Sequence, residues 1–100
     1  MYVGVLHTIT DPVLWKEGME KFDRSALPEG VRNPMTIVGA SSDHVFCLWD
    51  VPSVEVLQPM LDDLTKGAST NLYFAVDPEG LGTVGFPAAR AAGHEPVAAT

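Results

Sequence analysis

One hundred residues are enough for one domain with a modest core. Thirteen acidic residues against six basic ones leave a net charge of −7. Such a surface repels phosphate backbones and excludes nucleic acid as a partner. No apolar run approaches membrane-spanning length, and no basic-then-apolar leader precedes the first strand-like residues, so the expectation is a cytoplasmic protein with no membrane partner. The single cysteine, Cys47, cannot close an intrachain disulfide and suits a reducing compartment.

In chain order, Tyr2–Ile9 reads as a first strand. Asp11-Pro12 then supplies a helix N-cap and a proline at the first helical position. Trp15, Gly18, Met19 and Phe22 follow at helical spacing as one apolar stripe. Ser25–Asn33, with Pro28 and Gly30, reads as a loop. Pro34–Ala40 and Val45–Val51 read as a hairpin joined by the turn cluster Ser41-Ser42-Asp43-His44. Ser53 caps a second helix with the stripe Val56, Leu57, Met60, Leu61 and Leu64. Pro59 inside that stripe implies a kink or a regular part beginning at Gln58, and Gly67 is a C-terminal cap. A fourth strand runs from Thr70 to about Val76. The domain is thus expected over residues 1–79. Residues 80–100, rich in Gly, Ala and Pro without periodicity, are expected to form an extended arm and a mobile tail.

The order βαββαβ is the split βαβ arrangement of ferredoxin-like α+β folds. Right-handed crossovers place both helices on one face of a four-stranded antiparallel sheet. Yet the strands are apolar on both faces. Val45, Cys47, Trp49 and Val51 alternate with Phe46 and Leu48, and Asn71–Val76 and Val3–His7 behave alike. Two helices cover one face only. The other calls for a second subunit or a ligand, so the expectation is a homodimer with a cavity.

His7 lies on the Val3-Val5-His7-Ile9 face, where an imidazole in an apolar chamber can transfer a proton near neutral pH. On the fourth strand, Leu72, Phe74 and Val76 are assigned to the helix side. That leaves Asn71 and Tyr73 facing a chamber away from the helices, together with His7 and Trp49. An indole, a phenol and an amide in one apolar chamber suit a planar ligand; a filled dimer core uses the same residues. His44 and Cys47 form an H-x-x-C, but across a turn the spacing need not converge and no second pair exists. No metal ligand and no cofactor are therefore assigned, and Cys47 reads as a small buried apolar residue. Asp62 and Asp63, adjacent on a helix, read as a solvated face. The literal G-x-G-x-x-G of Gly80–Gly85 is followed by Phe86-Pro87 rather than a helix, so it is not a dinucleotide site.

The stretch Val45–Glu55, a strand running into a helix, and the opening Val3–Thr8 with His7 near its end resemble the dimeric α/β-barrel superfamily. Within it the likeness is to small bacterial proteins of unassigned function, in a family that includes nickel-binding members whose helices carry further histidines. Neither helix here has one. The resemblance implies two facing sheets around a central cavity. It brings in cofactor-independent monooxygenases of polyketide-like aromatics, haem-degrading enzymes and polyketide cyclases. The leading expectation is a dimer binding a small apolar or aromatic molecule in its barrel, as such an oxygenase or cyclase in its enzymatic version. A non-catalytic dimer with a filled core is the alternative, and a metal-binding protein the third.

Overall fold

The structure, a computed structural model, describes residues 1–80. The expected arm and tail, and the glycine run beyond Gly80, lie outside the described residues. Strand β1 (Tyr2–Ile9) leads into helix α1 (Pro12–Lys21) and a short 3-10 turn at Arg24–Ala26. Strands β2 (Arg32–Val38) and β3 (His44–Asp50), helix α2 (Val54–Leu64) and strand β4 (Ser69–Val76) follow. The sheet order is β2-β3-β1-β4, every neighbouring pair antiparallel. This is the ferredoxin-like α+β fold. No helix of the described residues is long and apolar enough to cross a membrane.

Local chemistry explains the boundaries. The Asp11 carboxylate accepts the Val13 and Leu14 N–H groups at 3.1 Å each, and Pro12 spends no donor in the first turn. Ser53 does the same for Val56 at 3.3 Å. Helix α2 runs through Pro59 without interruption, so it starts at Val54 rather than at Gln58. Gly67 adopts φ +79°, a left-handed conformation that turns the chain from α2 toward β4. At the β2 edge the register shifts between Arg32 and Met35, where one extra residue enters β2. Pro34 has no N–H to offer there. The Asn33 side-chain amide substitutes, donating to the Leu48 carbonyl at 2.9 Å and the Met35 carbonyl at 3.0 Å.

The pairing register sorts the sheet residues into two sets. Val3, Val5 and His7 stand with Val45, Cys47, Trp49, Asn71 and Tyr73. This set lies under the helices: its valines and Trp49 form one core with Leu57 and Leu61 of α2, and Trp15, Phe22, Met60, Leu64 and Tyr73 pack against it. The opposite set is Leu6, Phe46, Leu48, Met35, Ile37, Leu72 and Phe74, with Gly4 at its centre. No described element covers it, and Ile37, Leu72 and Phe74 remain 47%, 61% and 44% exposed. A Cβ on Gly4 would sit 2.6 Å from the Phe74 ring and 3.2 Å from the Phe46 ring. The missing side chain is what lets these rings stack across β1, with centroids 6.2 Å apart.

The expected grouping of His7, Trp49, Asn71 and Tyr73 on one face therefore holds, but the face is the other one. They sit beneath the helices, and Leu72, Phe74 and Val76 face away from them. The reason is physical. The polar atoms of Asn71 and Tyr73 need hydrogen-bond partners once buried, and α2 supplies them. Large apolar side chains carry no such demand and can stand on the uncovered face.

Candidate functional site

The candidate site is a cleft between the covered face of the sheet and the helices. From the sheet, Val45, Cys47 and Trp49 of β3 and His7 of β1 line it, and Trp15 and Met19 close it from α1. Leu61 and Leu64 of α2, with Phe22 and Arg24, complete the wall. The cavity has a volume of about 40 Å³ and opens to solvent at its mouth. The closed cleft thus holds roughly three waters. A ring-sized guest requires the wall to move, and α1 is the wall least tied down, since none of its residues is buried.

His7 is 2% exposed and packs against the Trp15 ring at 5.0 Å between centroids. Its Nδ1 lies 2.7 Å from Asn71 Oδ1. The orientation of the Asn71 amide follows from its other partners. Its nitrogen is 3.0 Å from the Asp62 carboxylate, which can only accept, and 2.8 Å from Thr65 Oγ1. Its oxygen also accepts from Ser69 Oγ at 2.8 Å. Asn71 thus uses both lone pairs and both hydrogens. An oxygen facing His7 requires that Nδ1 carry the proton, which leaves Nε2 as a bare lone pair with no partner among the described residues. Burial lowers the His7 pKa below 6.5, and this outweighs the opposing pull of the Asn71 hydrogen bond and the Asp62 charge. The imidazole is therefore neutral at pH 7 and fixed in one tautomer, the state a general base needs.

Asp62, read from sequence as solvated, is the anchor of this network. It accepts the Tyr73 hydroxyl at 2.7 Å as well as the Asn71 amide, and the Tyr73 bond lowers its pKa. The Tyr73 hydroxyl is pushed upward, first by burial and then by that carboxylate. Tyr73 therefore braces α2 against β4 rather than lining the cleft. Asn71 likewise stands behind His7. The signal for Asp62 was present in β4: an amide and a phenol on one face of an otherwise apolar strand require polar partners from whatever covers them.

Trp49 is 2% exposed, and its Nε1 has no hydrogen-bond partner among the described residues. Cys47 lines the cleft with its thiol pushed up by burial, so it stays protonated. His44 and Cys47 do not converge: three residues apart on one strand, they point to opposite faces, and His44 is exposed. Arg24 spans Asn33 Oδ1 (2.9 and 3.1 Å) and Thr36 Oγ1 (3.3 Å) at the cleft and lies over the Phe22 ring. Comparison with protein-family models, curated proteins and solved structures finds no match to this chain.

Proposed function

We propose that this chain binds a small, flat, mostly apolar molecule in the cleft between sheet and helices, as one half of a homodimer. The observation that carries the reading is the pairing of an aromatic-walled cleft with a buried, neutral histidine whose Nε2 is uncommitted. His7 would take a proton from the bound molecule, with Asn71 holding its tautomer and Asp62 holding Asn71. A cofactor-independent oxygenase or cyclase, as the resemblance to dimeric α/β-barrel proteins suggests, uses that step. The rival reading is a non-catalytic dimer in which the cleft is simply core.

The dimer part rests on the uncovered face. Its centre is apolar, and the only Asp, Glu, Lys or Arg residues on the four strands are Arg32 and Asp50, which form an ion pair across β2 and β3. A chain of net charge −7 thus presents one face on which a second copy meets no net charge. Light scattering at micromolar concentration should give twice the 10.7 kDa chain mass, and Phe74→Arg should give the monomer. For the ligand, an NMR titration with naphthalene should saturate, shift His7 and Trp15, and be lost in Met19→Trp, which fills the cleft from α1. Shifts confined to Phe46 and Phe74 would place the molecule on the uncovered face and sink the cleft reading.

A further inference from the structure

We infer that the molecule bound in this cleft carries a neutral hydrogen-bond-accepting oxygen, a ketone carbonyl, that takes the N–H of Trp49. The inference rests on the cleft reading above and adds the chemistry of the ligand. An indole N–H is a donor with no other option, and a buried donor without a partner is rare enough to need an explanation. Trp49 lines the cleft, is almost wholly buried, and its Nε1 is the one buried side-chain polar atom among the described residues left without a partner.

The side-chain oxygens that line the cleft, on Asn33, Thr36 and Thr65, are already engaged. Asn33 Oδ1 receives Arg24 and Thr36. Thr65 Oγ1 receives Asn71 and donates to the Leu61 carbonyl. The open lone pair at His7 Nε2 belongs to the other end of the cleft. Trp49 pairs with Val3 and Val45 with His7, so four residues of β1, about 13 Å of strand, separate the two levels. The lone donor and the lone acceptor of the site thus cannot satisfy each other. A guest that meets the donor needs an oxygen at the Trp49 end. The cation on the cleft wall, Arg24, is already engaged by Asn33 Oδ1, Thr36 Oγ1 and the Phe22 ring, so a carboxylate beside Trp49 would lose its water without a free cation to pair with, and a neutral carbonyl is the group that fits.

Two other occupants of the N–H are outcomes of the test: a resident water, and the face of Phe22, whose ring meets Trp49 in a T-shaped pair at 6.1 Å between centroids. The probes are acetophenone and isopropylbenzene, alike in shape and differing in the carbonyl. The chain has two tryptophans, so its two indole N–H resonances are assigned with Trp15→Phe. Both probes should bind, but only acetophenone should move the Trp49 N–H downfield. Trp49→Phe should weaken acetophenone roughly five- to tenfold, as one lost hydrogen bond does, and leave isopropylbenzene within about twofold. If both probes bind while the Trp49 resonance responds to neither, the N–H belongs to water or Phe22 and the inference is overturned, with the cleft reading intact. If neither probe binds wild-type protein, the cleft reading fails and takes the inference with it. The wild-type spectra decide the matter even where Trp49→Phe does not fold.

Discussion

The two faces of one sheet differ in a way their hydropathy does not reveal. Under the helices lie valines, Trp49 and the polar set His7, Asn71 and Tyr73. On the uncovered face lie the larger apolar residues Phe46, Ile37, Leu72 and Phe74. A covering helix brings its own polar groups, here Asp62 and Thr65, and so permits polar side chains beneath it. A flat apolar face with no polar demand suits a flat partner of the same kind.

The strongest way to sharpen this contrast sets two leucines against each other. Leu57, fully buried above the covered face, should cost about 2–5 kcal/mol on replacement by alanine. Leu72 on the other face should cost no more than about 0.5 kcal/mol in dilute monomer. Urea unfolding at rising protein concentration then breaks or upholds the comparison. A Leu72→Ala penalty that grows with concentration means the face is buried in the associated state; a flat, small penalty means it stays in water.

A smaller effect is expected at Gly4. Alanine there displaces the Phe74 ring and undoes its stacking on Phe46, at a cost of about 1 kcal/mol. In a Phe74→Ala background the same substitution should cost much less, because the 2.6 Å clash is gone and only the 3.2 Å approach to Phe46 remains. Equal penalties in both backgrounds would show that Gly4 serves the backbone instead.

The smallest effect concerns pH. Burial keeps the folded His7 pKa below the 6.5 of an unfolded chain, with the Asp62 carboxylate as the facing charge. The unfolded state therefore takes up a proton that the folded state refuses. Stability should be full above pH 6.5 and fall as pH drops through that value, the loss ending once folded His7 protonates. His7→Gln should flatten the fall in stability below the His7 unfolded pKa of 6.5, measured by denaturant midpoint. An unchanged slope would assign the titration to another group.

The bounds of β1, the Asp11-Pro12 start of α1, the Ser53 cap of α2 and the βαββαβ order were all legible in the residues, because caps, turns and alternation are local signals. Alternation also grouped His7, Trp49, Asn71 and Tyr73 correctly. Alternation says which residues share a face, but nothing in a strand says which face a helix will cover. The expectation gave Leu72, Phe74 and Val76 to the helix side because that side demands apolar residues, when the decisive quantity was the hydrogen-bonding need of Asn71 and Tyr73. Asp62 stayed hidden for the same reason. A carboxylate on a helix looks solvated until the strand beneath it is known to hold donors.

The bulge at Asn33 and Pro34 has a consequence for how far these molecules can assemble. A sheet has two edges, and here one of them, β2, is stopped by a proline and an extra residue. Among the described residues β4 is the other edge, and pairing β4 against β4 would leave two guarded β2 edges outermost. Edgewise growth therefore ends after a single step. Among the described residues, the sheet thus exposes apolar strands while one of its edges is guarded against further pairing.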